Sequence, residues 1–229
     1  MKKHGQQVAR ATRRIIQLDY QHRNKQIQNK DMLLIAVLLC IVGSSVAQPL
    51  DSLWSGTYGE KPWDELNQLI LTSDGGFLLV GQIGSYGGGR MSGYVVKTDS
   101  IGHEQWSRVY TGDGTSGFYS AVQTDDGGYI LMGYCWTSRT KSLDFQLMKT
   151  DSTGEPIWSH MYGDFGAEQC FAGIQTADGG YLLAGYTASF GIENDDLYLV
   201  KTDARGYKQW SWSYGGTGGE RCYAVIQTD

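Results

Sequence analysis

The sequence predicts an all-β fold: a β-propeller of four-stranded antiparallel blades, with three whole blades and a partial strand at each end. Trp54, Trp106, Trp158 and Trp210 stand 52 residues apart, and Tyr58, Tyr110, Tyr162 and Tyr214 keep the same step. Asp74, Asp126 and Asp178 open Asp-Gly-Gly triplets at that period, which Lys97, Lys149 and Lys201 also follow. No insertion or deletion disturbs the register, the signature of one supersecondary unit stacked repeatedly.

The elements follow in chain order. Residues 1–47 read as a basic leader and signal peptide. The apolar run "MLLIAVLLCIV" (32–42) is short of the roughly 20 residues a membrane span needs. Ser45 and Ala47 supply the small residues that place cleavage between Ala47 and Gln48. The expected location is secreted, periplasmic or cell-surface. The stretch ahead of the apolar run is long and basic, which fits a start codon assigned too far upstream. "TRRIIQL" (12–18) lies too far ahead for a twin-arginine signal, and Cys40 lacks the small residue that precedes a lipoprotein cysteine.

Residues 48–229 form the repeat region, with blades at 65–110, 117–162 and 169–214. The third blade illustrates all of them. "CFAGIQT" leads through Asp-Gly-Gly into "YLLAGYT"; after a looser loop, "LYLVKTD" leads through "ARG" into "YKQWSWSY". Such runs, rich in Tyr, Val, Ile, Leu and Thr between Gly and Asp, are strand signals. "FLLVG", "YILMG" and "YLLAG" are apolar on both faces, so sheets must cover them from both sides. A β-solenoid competes, but its repeat units are usually shorter. Residues 53–58 match a fourth strand and 221–229 a first strand. The register puts the next Asp-Gly-Gly at 230, which predicts an incomplete propeller, with self-association through open sheet edges as the alternative.

"KTDSIGHEQW", "KTDSTGEPIW" and "KTDARGYKQW" resemble the Asp-x-x-Gly-x-x-x-Trp docking motif of quinoprotein-like propellers. With Trp-Ser-x-x-Tyr and Asp-Gly-Gly-Tyr, the pattern is similar to secreted bacterial and archaeal β-propeller repeat proteins, mostly without assigned activity. The resemblance covers about residues 54–229. It implies a propeller at the cell surface, a Trp packed on the neighbouring blade, and no particular reaction. Trp54, Trp106, Trp158, Trp210, Asp74, Asp126, Asp178, Asp99, Asp151 and Asp203 are accordingly structural repeat positions.

The whole chain carries a formal charge of −5, and removal of the basic leader makes the remainder strongly acidic. An acidic surface repels phosphate backbones, so nucleic acid is not an expected partner. Cys170 and Cys222 share a repeat position held elsewhere by Leu66 and Phe118, a small apolar packing role. Adjacent blades hold equivalent positions too far apart for a disulfide.

Strand order sends the stereotyped turns to one face and the variable segments 59–64, 84–92, 111–116, 136–143, 163–168 and 188–195 to the other. Loops that vary on a rigid scaffold are where recognition sits. Candidate ligand-binding residues there are Trp63, Tyr86, Arg90, Trp136, Arg139, Phe165 and Phe190, suited to a glycan or protein at the cell surface. The competing reading packs these rings back onto their own loops. Asp64, Glu168 and Glu220 share one repeat position, with Ser116 the exception. A carboxylate ring could hold a cation, but a strand-entry turn role is the simpler expectation. No metal or cofactor is expected. His103 and His160 occupy unrelated repeat positions, and no nucleophile or carboxylate pair is singled out. The function expected is an exported non-catalytic scaffold or binding module. The alternative is part of a secreted carbohydrate-active or quinoprotein-like enzyme whose site lies in further sequence.

Overall fold

The computed structural model describes residues 56–59, 64–84, 90–191 and 194–228. The leader and signal segment, Trp54, Trp63 and Tyr86 lie outside the described residues. The described chain is all-β, with three four-stranded antiparallel sheets. The first holds β1 (Glu65–Leu71), β2 (Phe77–Ile83), β3 (Ser92–Thr98) and β4 (Glu104–Tyr110). The second holds β5 (Ser116–Gln123), β6 (Tyr129–Thr137), β7 (Ser142–Thr150) and β8 (Pro156–Tyr162). The third holds β9 (Glu168–Gln175), β10 (Tyr181–Thr187), β11 (Asp196–Thr202) and β12 (Lys208–Tyr214). Each sheet is a meander whose strands pair in chain order. The three sheets span residues 65–110, 116–162 and 168–214, so β5 and β9 each begin one position ahead of the range expected from the repeat.

The hairpins follow from their turn chemistry. At the first, Gly75 N–H donates to Thr72 O (2.9 Å) and Thr72 N–H to Gly76 O (2.9 Å). Gly75, Gly127 and Gly179 take φ of 82°, 79° and 80°, a region where a Cβ is strained. The third-to-fourth-strand turns place Gly102, Gly154 and Gly206 at φ 81–82°. There Asp99, Asp151 and Asp203 each accept two backbone N–H bonds through Oδ1, from the residues two and four positions on. These aspartates hold the turn, and the structure assigns them that role.

The core lies between sheets. Leu78, Val80 and Val95 of the first sheet pack on Phe118, Ala121, Tyr129, Leu131 and Met148 of the second. Ile130, Met132, Phe145 and Leu147 of the second pack on Cys170, Tyr181, Leu183, Tyr198 and Val200 of the third. β6 is buried on both faces for this reason, as its unbroken apolar run required. Burying each such side chain contributes about 1.5–3 kcal/mol.

A second device locks neighbouring sheets. Tyr110 Oη donates to Gly154 O (2.7 Å), Tyr162 Oη to Gly206 O (2.5 Å), and Tyr58 Oη to Gly102 O. Trp106 and Trp158 lie against the same glycines: a methyl group added to Gly154 or Gly206 would stand 2.8 Å from the respective indole. Glycine at this turn thus serves two ends, its positive φ and the close approach of the preceding sheet's indole.

The first strands converge. Tyr119 meets Phe171 edge-on (centroids 5.1 Å), and Phe171 stacks on Tyr223 (4.9 Å), three rings at one repeat position. Residues 221–228 follow the third sheet in the same manner. Gln227 Oε1 accepts from Ala177 N–H (2.9 Å) just as Gln123 Oε1 accepts from Ser73 N–H (2.7 Å). The sequence predicts a strand here, and the segment carries no ladder, because no second strand is paired with it among the described residues.

Candidate functional site

A meander has two ends, and in this chain they differ in chemistry. One carries the Asp-Gly-Gly hairpins. Lys97, Lys149 and Lys201 are buried along their stems and reach Asp74, Asp126 and Asp178 at 2.8 Å. Each aspartate also accepts a threonine hydroxyl and the N–H of the second glycine. The lysine hydrogen bond, then the threonine, holds each carboxyl well below the usual carboxylate range. All three copies are alike, as a scaffold requires.

The other end carries the variable loops, and hydrogen bonds lace them into one surface. Arg90 Nη1 donates to Asp113 O (3.0 Å), Trp136 N–H to Thr115 O (2.8 Å), and Ser138 Oγ to Asp113 Oδ2 (2.9 Å). Arg139 Nη2 donates to Gly163 O (3.3 Å), Ala188 N–H to Ala167 O (2.8 Å), and Gly166 N–H to Ser189 Oγ (2.8 Å). Asn194 Nδ2 donates to Thr217 O (2.8 Å), and Arg221 pairs with Asp195. Every link joins loops of different strands, so the loops hold each other in place.

The candidate residues divide on this surface. Phe165 is 81% exposed and lies free of the core. Phe190 is 41% exposed, one face on Tyr198 (centroids 5.2 Å). Arg90 and Arg139 are exposed on the same loop end. Trp136 is half-buried, its ring over Gly114, where an added methyl would stand 2.8 Å away. Trp136 therefore packs on the neighbouring 111–116 loop, and among the described candidate residues the outward rings are Phe165 and Phe190.

Beneath this surface lies an acidic pair, of which the repeat pattern singles out Glu168 alone. Glu168 and Asp144 are both fully buried. Asp144 Oδ2 accepts from Thr137 Oγ1 (2.7 Å) and Thr140 Oγ1 (3.1 Å), with Arg139 Nη2 at 3.6 Å. Glu168 accepts from Thr187 Oγ1 (2.6 Å), Ser189 N–H (3.2 Å) and Asp164 N–H (3.1 Å). A methyl group built on Gly163 would collide with both Asp144 Oδ1 and Glu168 Oε2, so the two oxygens flank one point. Burial pushes the Glu168 carboxyl up, and the Asp144 charge adds to it. Asp196, Glu220 and Gly215 repeat this arrangement one period on, with Glu220 half-exposed. Asp64 stands against Gly59 in the same relation. Between the first and second sheets the equivalents are Ser92, Ser116 and Thr111. The exchange of serines for acids at two positions together was the signal available in the sequence.

Among the described residues, no group of three or more His, Cys, Asp or Glu side chains converges. His103 faces Asp99 at 3.3 Å, and His160 Nε2 lies 3.0 Å from Arg205 O, neither near a nucleophile. Cys170 is fully enclosed, and burial pushes its thiol up to about 12. A groove of about 620 Å³ between the first two sheets, lined by Ile83, Tyr94, Tyr110 and Met148, is bridged by the Arg108–Glu155 ion pair (2.7 Å). No protein-family model matches the chain, and no curated protein matches it either.

Proposed function

We propose that this chain is an exported, non-catalytic β-propeller scaffold that recognises a glycan or a protein surface through its variable-loop end. The observation that carries the reading is the contrast between the two ends. One repeats a single lysine–aspartate hairpin three times. The other holds loops of differing sequence in one hydrogen-bonded surface, with Phe165 and Phe190 outward and Arg90 and Arg139 exposed on the same end. Flat aromatic area with flanking donors suits sugar rings and polar protein surfaces, and rigid loops lose little entropy on binding. In this reading the three sheets are successive blades, and the Trp and Tyr contacts are the docking that the resemblance to secreted propellers implies.

The test is binding of the full chain to an array of surface polysaccharides and to intact bacterial cells. The Phe165→Ala/Phe190→Ala variant should bind at least about tenfold more weakly, as loss of two aromatic anchors implies. Its unfolding midpoint should fall only modestly, because Phe165 leaves the core untouched and Phe190 gives up the one face it lays on Tyr198. Equal binding by a folded variant overturns the reading. Trp136→Ala is the control that separates support from contact: it should lower stability first.

A further inference from the structure

We propose that Asp144 and Glu168 hold a divalent cation, of which Ca²⁺ is the fitting one, directly beneath the variable loops. Three observations lead there. The first is unbalanced charge: two fully buried carboxylates face each other, and the cation beside them, Arg139, sits 3.6 Å from Asp144 Oδ2 with its own side chain largely in solvent. Burying two like charges together is costly unless a counter-charge joins them.

The second is the donor inventory. Hydroxyls of Thr137, Thr140 and Thr187 and the N–H groups of Asp164 and Ser189 all point at these carboxylates. Yet Asp144 Oδ1, enclosed from solvent, has no hydrogen-bond partner. It lies close against Gly163, as Glu168 Oε2 also does, so the two oxygens are neighbours there. An orphaned anionic oxygen beside a second carboxylate is an arrangement a cation completes. Oxygen-only donors select a hard ion, and Ca²⁺ tolerates the irregular geometry and accepts water in the remaining positions. Gly163 itself is half-exposed on the loop side.

The third is the repeat itself. Where both acids occur, at Asp144/Glu168 and Asp196/Glu220, the facing residue is Gly163 or Gly215, whose missing Cβ lets the carboxylate oxygens come close to its backbone. Where serines stand, at Ser92 and Ser116, it is Thr111. There Ser116 Oγ donates to Tyr110 O (3.1 Å) and accepts from Gly93 N–H (3.1 Å), a satisfied neutral solution. The chain thus contains its own metal-free version of the site. A bound ion would tie the loops at 137–140, 163–164 and 187–189 together. The assignment is independent of what the loop surface recognises.

The experiment uses the full chain, stripped with chelator and titrated with Ca²⁺ by calorimetry, with Tb³⁺ luminescence sensitised by the aromatic residues as a second readout. The expected result is saturable binding and a thermal midpoint that rises with Ca²⁺. The Asp144→Ser/Glu168→Ser variant, which copies the serine interface, should lose one equivalent of Ca²⁺ per chain and keep its β-sheet circular dichroism. Should that variant fail to fold, Glu168→Gln, which keeps volume and polarity, should lose the same equivalent. Unchanged stoichiometry in either folded variant overturns the proposal. So does a wild-type chain that ignores millimolar Ca²⁺ and grows more stable as pH falls toward 5, the behaviour of a carboxyl pair sharing a proton.

Discussion

Gly206 and Gly179 occupy nearly the same backbone conformation, φ 82° and 80°, and differ only in what surrounds them. Nothing lies within 4 Å of a Cβ added at Gly179, whereas one at Gly206 would meet His160 at 2.5 Å and Trp158 at 2.8 Å. Gly179→Ala should therefore cost only the strain of a left-handed alanine, about 1 kcal/mol. Gly206→Ala adds displacement of the docked indole, and overpacking of this kind costs about 1–3 kcal/mol more. Urea denaturation of the two variants measures the difference directly. Equal losses would mean that Trp158 is not locked against the next sheet. Tyr162→Phe probes the same joint from the other side by leaving Gly206 O without its phenol donor, at about 1–3 kcal/mol.

The hairpin is the element that makes this fold legible. Asp126, Lys149 and Thr124 form one hydrogen-bonded unit that recurs at both neighbouring copies. The depressed Asp126 pKa makes its contribution present above the unfolded value near 3.9 and lost as pH falls through that value toward the folded one. Stability should thus decline below about pH 4, and Asp126→Asn should flatten that decline. The carboxylate is 62% exposed, so solvent screening limits its share to about 0.5–1 kcal/mol. Thermal melts between pH 2 and pH 7 check both slope and size. An unchanged acid slope in Asp126→Asn would remove the pair from the stability account. Twelve strands were readable because such turns recur in fixed register. The acidic pair was not: Asp144 and Glu168 lie on different sheets, and single-position reading found Glu168 without its partner. The sequence leaves Trp136 open between a displayed and an inward-packed ring, because nothing local signals that Gly114 leaves space for it.

Sheets stacked in series share stability with their neighbours alone, so protection across the molecule should be graded. The second sheet is packed on both faces, with Tyr162 buried and Ile130, Met132, Phe145 and Leu147 fully enclosed. Among the described residues, the third sheet is covered on its second-sheet side, while Trp210, Trp212 and Tyr214 of β12 stand 40%, 59% and 55% exposed. The first sheet gains cover from Tyr58, which packs with Leu66, Phe77 and Tyr94 against Leu79 and Val96. Amides of β6 and β7 should therefore exchange slowest and those of β11 and β12 fastest among ladder-bonded positions, the gap reflecting local opening of the third sheet. Hydrogen-exchange mass spectrometry on the intact chain resolves these strands as separate peptides. Uniform exchange would mean that the sheets open as one cooperative unit, with the interface between the second and third sheets as strong as the ladders within them. A graded profile that flattens when Ca²⁺ is added would instead locate the coupling at the loops around Glu168, since an ion there joins β7 to β9 across that interface.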